Sequence, residues 1–540
     1  MKAMIVAPQP VAVEAGFEVL RGGGNAVDAA VTCALVQGVV SPHMCGVGGY
    51  AVVTLSPGGG APVFLDGPAL AGSLVTPEMW QDRLLRPSPN GWSYFLKGRV
   101  NDIGHTSVCT PGTVKLLATL LERYGTLDWE QAIAPAVRVA EEGFTVGQQL
   151  AAGWRARRPF PEATSLLERI LSNEEARRIY LMADGRAPDE ADTIHNPDYG
   201  ATLRRLAEAG PDDFYHGELA GRMARDLGTN GSFVTAGDLA GYALQEPPVV
   251  TGSYRGVEVA SAASPHGGPT LVATLNILEH FDLAALEHNS AEYIHLVAMA
   301  MKAAFSDRNL HLGDSAFHEV PLEWMIGKDR AAEWAAHIRR GDPITVSFTP
   351  SGPPDTTTLS VVDGAGTWLN LTHSLGSSSG VITPGLGFMY NNSMTNFHPL
   401  PGHPNSIAPG KGRTSGMAPT ILSRDGEPFM TVGAPGSTQI ITGVLQVVLN
   451  VLDFGMGIQE AVYAPRFDCQ GESIRCQARI PEYICAEVAR LHPIARTPYS
   501  HGAFGLVHAI ARDPASGRLS GGADTGAGGM ALGLKVQVRD

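Results

Sequence analysis

Polar and apolar residues alternate through Thr358-Leu359-Ser360-Val361-Val362-Asp363 and again through Thr367-Trp368-Leu369-Asn370-Leu371-Thr372-His373-Ser374. A two-residue period puts successive side chains on opposite faces, so both runs read as strands, and the Gly364-Ala365-Gly366 turn between them predicts a hairpin. Pairing Asp363 with Thr367 and counting outward without a bulge sets Thr356 opposite Ser374. Two hydroxyls then face each other at the hairpin's open end. Thr358 lies two positions along the same strand face.

Elsewhere the period is helical. Residues 11–21 read as a helix stopped by Gly22-Gly23-Gly24, and Asn25 caps a second, Ala-rich helix. That glycine run follows a helix rather than a strand and lacks the Gly-x-Gly-x-x-Gly spacing, so it is not a nucleotide loop. Gly46-Val47-Gly48-Gly49 precedes an apolar strand at 50–55 and reads as a close-packed turn. Helical patterns dominate 112–227, with helices at 114–124 and 129–142, and the Arg-rich stretch 154–159 reads as a solvated face. A strand-like run covers 249–259, and further helices cover 271–280 and 291–305. Residues 341–355, with four prolines, form the one clear linker.

Composition narrows the function classes. The chain has 540 residues, of which 44% are apolar, enough for a large core and too many for general disorder. A net charge of −14 gives no electrostatic footprint for nucleic acid. No apolar stretch reaches the ~18 residues of a membrane span. Six cysteines are scattered without a Cys-x-x-Cys spacing, which implies neither a disulfide framework nor a zinc site. His43, His105, His266 and His373 are dispersed, with no ligand spacing, and read as structural or surface residues. Nothing singles out a Ser-His-Asp triad.

The candidate chemistry lies at Thr356-Thr357-Thr358, where the Pro/Gly-rich linker runs into the first strand of the hairpin. A threonine hydroxyl is a weak nucleophile until a base takes its proton. An α-amine of pKa about 8 can do so near neutral pH, and a threonine at a chain start carries both groups. Backbone cleavage before Thr356 would create such a residue, with Ser374 placed to hold the amine.

The segment Thr356-Thr357-Thr358-Leu359-Ser360-Val361-Val362-Asp363 resembles the start of the small subunit in the gamma-glutamyltranspeptidase family, which reads Thr-Thr-x-x-Ser-Val-Val-Asp. The likeness extends over nearly the whole chain. It includes Glu14-Ala15-Gly16, Gly23 through Ala30, Pro42-His43, Gly46 through Gly49, Thr110-Pro111-Gly112-Thr113, Asp307-Arg308, Leu312-Gly313-Asp314, Asn391-Asn392, Met417 through Ile421, Gly433 through Ser437 and Ala464-Pro465-Arg466-Phe467. The resemblance implies an α+β fold, the N-terminal nucleophile hydrolase four-layer αββα sandwich with two mainly antiparallel sheets. It implies self-cleavage between Asp355 and Thr356 into a large subunit, 1–355, and a small one, 356–540, which stay associated as one αββα unit. Thr356 would then attack a small-molecule amide, with the Gly436 and Ser437 backbone amides binding the oxyanion. No metal or organic cofactor is needed for these steps. Many members are exported, and the start Met1-Lys2-Ala3-Met4-Ile5-Val6-Ala7-Pro8 runs straight into family-like sequence, so a cytoplasmic protein is expected.

Departures from the family bear on the substrate. The family's γ-glutamyl-binding residues map here to Ser393 and Asn396 (for Gln and Asp), Gly376 (for Asn) and Ser415-Gly416 (for Ser-Ser), and no basic residue stands in 68–73. A buried ammonium without a carboxylate partner is costly, so an acyl donor without an α-ammonium is expected, of glutaryl or oxamate type. Lys411 or Arg413 could supply charge for a substrate carboxylate. The alternatives are a true γ-glutamyl hydrolase or transpeptidase and a non-catalytic binding protein retaining the fold.

Overall fold

Alternation at 357–374 places two strands in the middle of a sheet. The computed structural model describes residues 2–88, 93–158, 160–346, 355–498 and 504–535. Twelve strands form the two principal sheets: β1 (Ala3–Ala7), β2 (Tyr50–Ser56), β3 (Val63–Gly67), β4 (Val250–Tyr254), β5 (Val257–Ser261), β6 (Thr357–Val362), β7 (Trp368–Ser374), β8 (Thr420–Arg424), β9 (Glu427–Gly433), β10 (His508–Arg512), β11 (Leu519–Ala523) and β12 (Met530–Leu534). The first sheet runs β12-β1-β6-β7-β2-β3 and the second β11-β10-β9-β8-β5-β4. Every neighbouring pair in both is antiparallel.

The two faces of β6 and β7 explain the layering. Leu359, Val361, Leu369 and Leu371 join one apolar core with residues of α1 (Pro10–Arg21), α2 (Ala26–Val40), α3 (Thr113–Tyr124) and α4 (Trp129–Glu142). Each such aliphatic side chain, fully buried, contributes ~1.5–3 kcal/mol. The opposite face meets the second sheet through hydrogen bonds, Ser360 Oγ donating to the His508 carbonyl (3.1 Å) and Thr54 Oγ1 of β2 to the Pro419 carbonyl (2.9 Å), and through a small apolar cluster in which Val362 and Trp368 pack with Ile421 and Ile510. The far face of the second sheet packs on α5 (Gly268–Leu278), α6 (Ala291–His311) and α7 (Gln439–Leu452). The stack is helix, sheet, sheet, helix, the αββα sandwich.

Most predicted elements are present. Asn25 caps α2 by accepting from Val27 N and Asp28 N, while Asp28 returns a bond to Asn25 N. The strand-like run at 249–259 is two strands, β4 and β5, because Arg255 and Gly256 take positive φ (52° and 76°) and reverse the chain. In the Arg-rich stretch Trp154 is buried, while Arg155, Arg157 and Arg158 are exposed as expected; Pro159 lies outside the described residues. The linker's residues 347–354 also lie outside them.

Candidate active site

The hairpin register is the predicted one: Thr357 pairs with His373 and Val362 with Trp368, so Thr356 stands opposite Ser374. Thr356 Oγ1 donates to the carbonyl oxygen of Asp355 (2.8 Å) and lies 3.1 Å from Ser374 Oγ. Ser374 Oγ donates to that same carbonyl oxygen (2.7 Å) and accepts from Gly376 N (2.9 Å). The Asp355 carboxylate accepts from Ser377 Oγ at 2.9 Å. Two hydroxyls therefore converge on the carbonyl that precedes Thr356. One belongs to the candidate nucleophile, and the other is the residue that the hairpin register sets opposite it.

Glycines bring the backbone in close. A Cβ at Gly49 would stand 2.4 Å from the Ser374 carbonyl oxygen, which explains the close-packed turn. Gly376 has φ 73°, and a Cβ there would reach within 2.3 Å of Asn392 Oδ1. An asparagine there, as the family pattern places it, would require the Asn392 side chain to move.

The candidate oxyanion donors follow β9. Gly436 and Ser437 have φ of 133° and 58°, and neither backbone amide has a hydrogen-bond acceptor among the described residues. Gly416 lies against this loop, since a Cβ there would come 2.1 Å from the Ser437 carbonyl oxygen, so a serine cannot be accommodated without a shift. Three residues earlier, Arg413 stacks over Tyr50 (4.2 Å to the ring centroid), and Tyr50 is the strand partner of Ser374. The segment 413–416 thus ties the loop at 434–437 to the nucleophile's end of the sheet.

The other predicted binding residues are buried around it. Ser393 donates its amide to Asn391 Oδ1 (3.1 Å) and leaves its hydroxyl unpartnered; Asn396 gives its carbonyl to Asn405 Nδ2 (2.6 Å), while its side-chain amide bonds to no described residue. Lys411 turns away, donating to the Pro404 carbonyl (2.6 Å). The segment that lacks a basic residue runs beside it: Leu70 bridges to Gly412, and Ala71 N donates to the Lys411 carbonyl (3.0 Å).

Two of the dispersed histidines lie close to the site's segments. His266 Nδ1 lies 2.6 Å from Ser415 Oγ and its Nε2 2.7 Å from Asp66 Oδ2, a buried Asp-His-Ser chain. Separations of 149 and 200 residues hid it from any spacing argument. His43 lines a cavity of about 250 Å³ with Asp355, Ser377, Asp102 and Arg169. Burial lowers its pKa against the pull of the Asp355 carboxylate, and its Nδ1 has no partner. His373 is structural as expected: it bonds Gln37 Oε1 (2.9 Å), and burial lowers its pKa to about 3. His105 faces Asp226 at 3.7 Å. Among the described residues no group of three or more His, Cys, Asp or Glu side chains is placed to hold a metal ion. No helix among them is long and apolar enough to cross a membrane.

The sequence profile described as Gamma-glutamyltranspeptidase matches residues 12–534. The chain belongs to the gamma-glutamyltranspeptidase family. Among curated members it is 33% identical to the Acylase ACY 1 proenzyme of Pseudomonas sp. (strain SE83), over 97% of this chain and 92% of that one. It is 31% identical to the Glutathione hydrolase proenzyme of Escherichia coli (strain K12), over 87% and 81%. Among solved structures, cephalosporin acylase from Bacillus halodurans superposes with a TM-score of 0.87 at 28% identity, covering 99% of this chain and 96% of that one. The fold is that of the gamma-glutamyltranspeptidase family's N-terminal nucleophile hydrolases, and the chain is an amide hydrolase or acyltransferase of the family.

Proposed function

We propose that the chain cuts itself between Asp355 and Thr356 and that the freed Thr356 then transfers an acyl group from a small amide lacking an α-ammonium. The observation that carries this reading is the shared grip of Thr356 Oγ1 and Ser374 Oγ on the Asp355 carbonyl oxygen. Attack of Thr356 Oγ1 on the Asp355 carbon forms a C–O bond as the peptide C–N bond breaks. The proton passes to the departing nitrogen, which becomes the Thr356 α-amine. Water opens the ester, releasing the Asp355 carboxylate and restoring the hydroxyl. In the cut enzyme that amine takes the hydroxyl proton, and Ser374 orients it. The free amides of Gly436 and Ser437 receive the substrate's oxyanion, the kind of donor pair worth ~2.7–4 kcal/mol per member.

Substrate class follows from what surrounds the site. Position 396 offers an amide rather than a carboxylate, so an ammonium there would be desolvated without a counter-charge. Acylase names among the relatives support the same direction. Intact-mass analysis with a glutaryl or oxamate amide tests both halves. Expected are two pieces divided at 355/356 and an acyl adduct on the smaller, both lost in Thr356→Ala. A fully active uncut chain, or turnover of γ-glutamyl-p-nitroanilide alone, would refute the reading.

A further inference from the structure

Self-cleavage meets a difficulty that the finished enzyme does not. Until the bond before Thr356 breaks, the Thr356 nitrogen is an amide and takes no proton; once it is an amine, its attack on the new ester only restores the peptide bond. Opening the ester therefore needs a base other than Thr356. The cavity of about 250 Å³ beside Asp355 holds the candidates, for its titratable side chains are His43, Asp102, Arg157, Arg169 and Asp355 itself. The arginines have no lone pair to offer. Asp102 is fully engaged: Oδ1 accepts from Arg169 Nη2 (2.7 Å) and Asn392 Nδ2 (3.1 Å), and Oδ2 from Thr164 Oγ1 (2.6 Å). The Asp355 carboxylate accepts from Ser377 Oγ (2.9 Å). Of the two side-chain types left, imidazole has the basicity suited to neutral pH.

Neither ring nitrogen of His43 bonds to any described residue. Nδ1 is buried without a partner, and Nε2 lies beside Gly153, where a Cβ would stand 3.9 Å away. Burial lowers the ring's pKa and the Asp355 carboxylate pulls against it, so the imidazole is neutral near pH 7 and keeps a lone pair. The turn that carries it is tied to both strands of the hairpin. The Met44 carbonyl accepts from Leu375 N (2.8 Å), one residue past Ser374. Ser41 Oγ accepts from Gln9 Nε2 (3.0 Å), and Gln9 Oε1 accepts from Thr357 Oγ1 (3.2 Å), one residue past Thr356. The turn is thereby fixed relative to the bond to be cut, at the wall of a space large enough for several waters. No bond joins His43 to Thr356 Oγ1, whose partners are the Asp355 carbonyl and Ser374 Oγ, so the step open to His43 is the second one.

Resting on the proposed self-cleavage, we propose that His43 is the general base for the water that opens the Asp355–Thr356 ester. The water oxygen bonds to the Asp355 carbonyl carbon as His43 takes one of its protons. The ester C–O bond breaks, and the proton passes from His43 to Thr356 Oγ1. The test is a time course of intact mass on freshly purified precursor, with and without hydroxylamine, a nucleophile that opens esters without a base. His43→Gln is expected to cut about 10²-fold more slowly or worse in buffer alone. Hydroxylamine should bring it within about tenfold of the parent, leaving a large fragment that ends in the Asp355 hydroxamic acid, heavier than the acid by NH. Cutting at the parental rate, or slow cutting that hydroxylamine does not restore, overturns the proposal. Should His43→Gln not fold, His43→Asn carries the same test, since its amide also fills the site without supplying a base. A parent chain that never divides at 355/356 removes the self-cleavage reading itself, whereas a parent that divides beside an equally fast variant removes only this role of His43.

Discussion

Replacing Ser374 by alanine isolates the group that the hairpin register sets opposite Thr356. The change deletes the 2.7 Å hydrogen bond to the Asp355 carbonyl oxygen and the 3.1 Å contact with Thr356 Oγ1. During attack on Asp355 the carbonyl oxygen gains negative charge, so a donor already aimed at it strengthens as the barrier is climbed. Loss of one such donor slows acyl chemistry by about 10²–10³-fold. The same change strips Gly376 N of its acceptor, which costs about 1–3 kcal/mol of stability if water does not replace it. Rate and stability thus separate. A time course of intact mass on freshly purified precursor reads the rate, and a urea midpoint reads the stability. Ser374→Thr keeps the hydroxyl and should cut within about tenfold of the parent. Cleavage of Ser374→Ala at the parental rate would show that this hydroxyl does not polarise the scissile bond.

Three further outcomes are expected. Asn396→Asp should raise kcat/KM for γ-glutamyl-p-nitroanilide relative to its glutaryl analogue by about tenfold or more, as a carboxylate returns opposite the ammonium; an unmoved ratio places the ammonium elsewhere. Gly416→Ser should lose about 1–3 kcal/mol in urea titration, because its Cβ meets the Ser437 carbonyl oxygen at 2.1 Å, and should lower kcat by displacing the oxyanion loop; parental stability would contradict that packing. His373, with a folded pKa of about 3 and an ordinary value near 6.5, binds its proton more readily when unfolded. Its contribution is complete above pH ~6.5 and declines by about 1.4 kcal/mol per pH unit below it. His373→Gln should flatten the fall in urea midpoint between pH 7 and 5, and an unaltered slope would refute the assignment.

Local physics made much of this legible in the sequence. A two-residue period and a short turn specify a hairpin register without knowledge of the rest of the molecule, and the observed pairing follows it from Thr357–His373 to Val362–Trp368. Capping by Asn25 was equally local. The β4–β5 reversal at Arg255-Gly256 was missed although a two-residue turn signal stands there, because the β-prone residues on its two sides were read as one run. What lay beyond sequence was assembled by tertiary contact. Asp66, His266 and Ser415 come from three separate segments, and the cation beside residues 68–71 arrives on the 410–413 strand-like segment rather than within them. Glycine at 376 and 416 read as a loss of binding groups, whereas the structure adds a packing reason: a Cβ at 416 meets the Ser437 backbone, and one at 376 meets the Asn392 side chain at positive φ.

The strand order of the first sheet governs what a break before Thr356 can do to the molecule. Strands from the two sides of that break interleave as β12, β1, β6, β7, β2 and β3, so β1 is held between two strands of the later piece and β7 is paired to β2 of the earlier one. The second sheet repeats the seam where β8 meets β5. Severing the covalent link therefore frees an amine without freeing a fragment. The halves can part only by tearing four ladders at once, which makes dissociation and denaturation the same event.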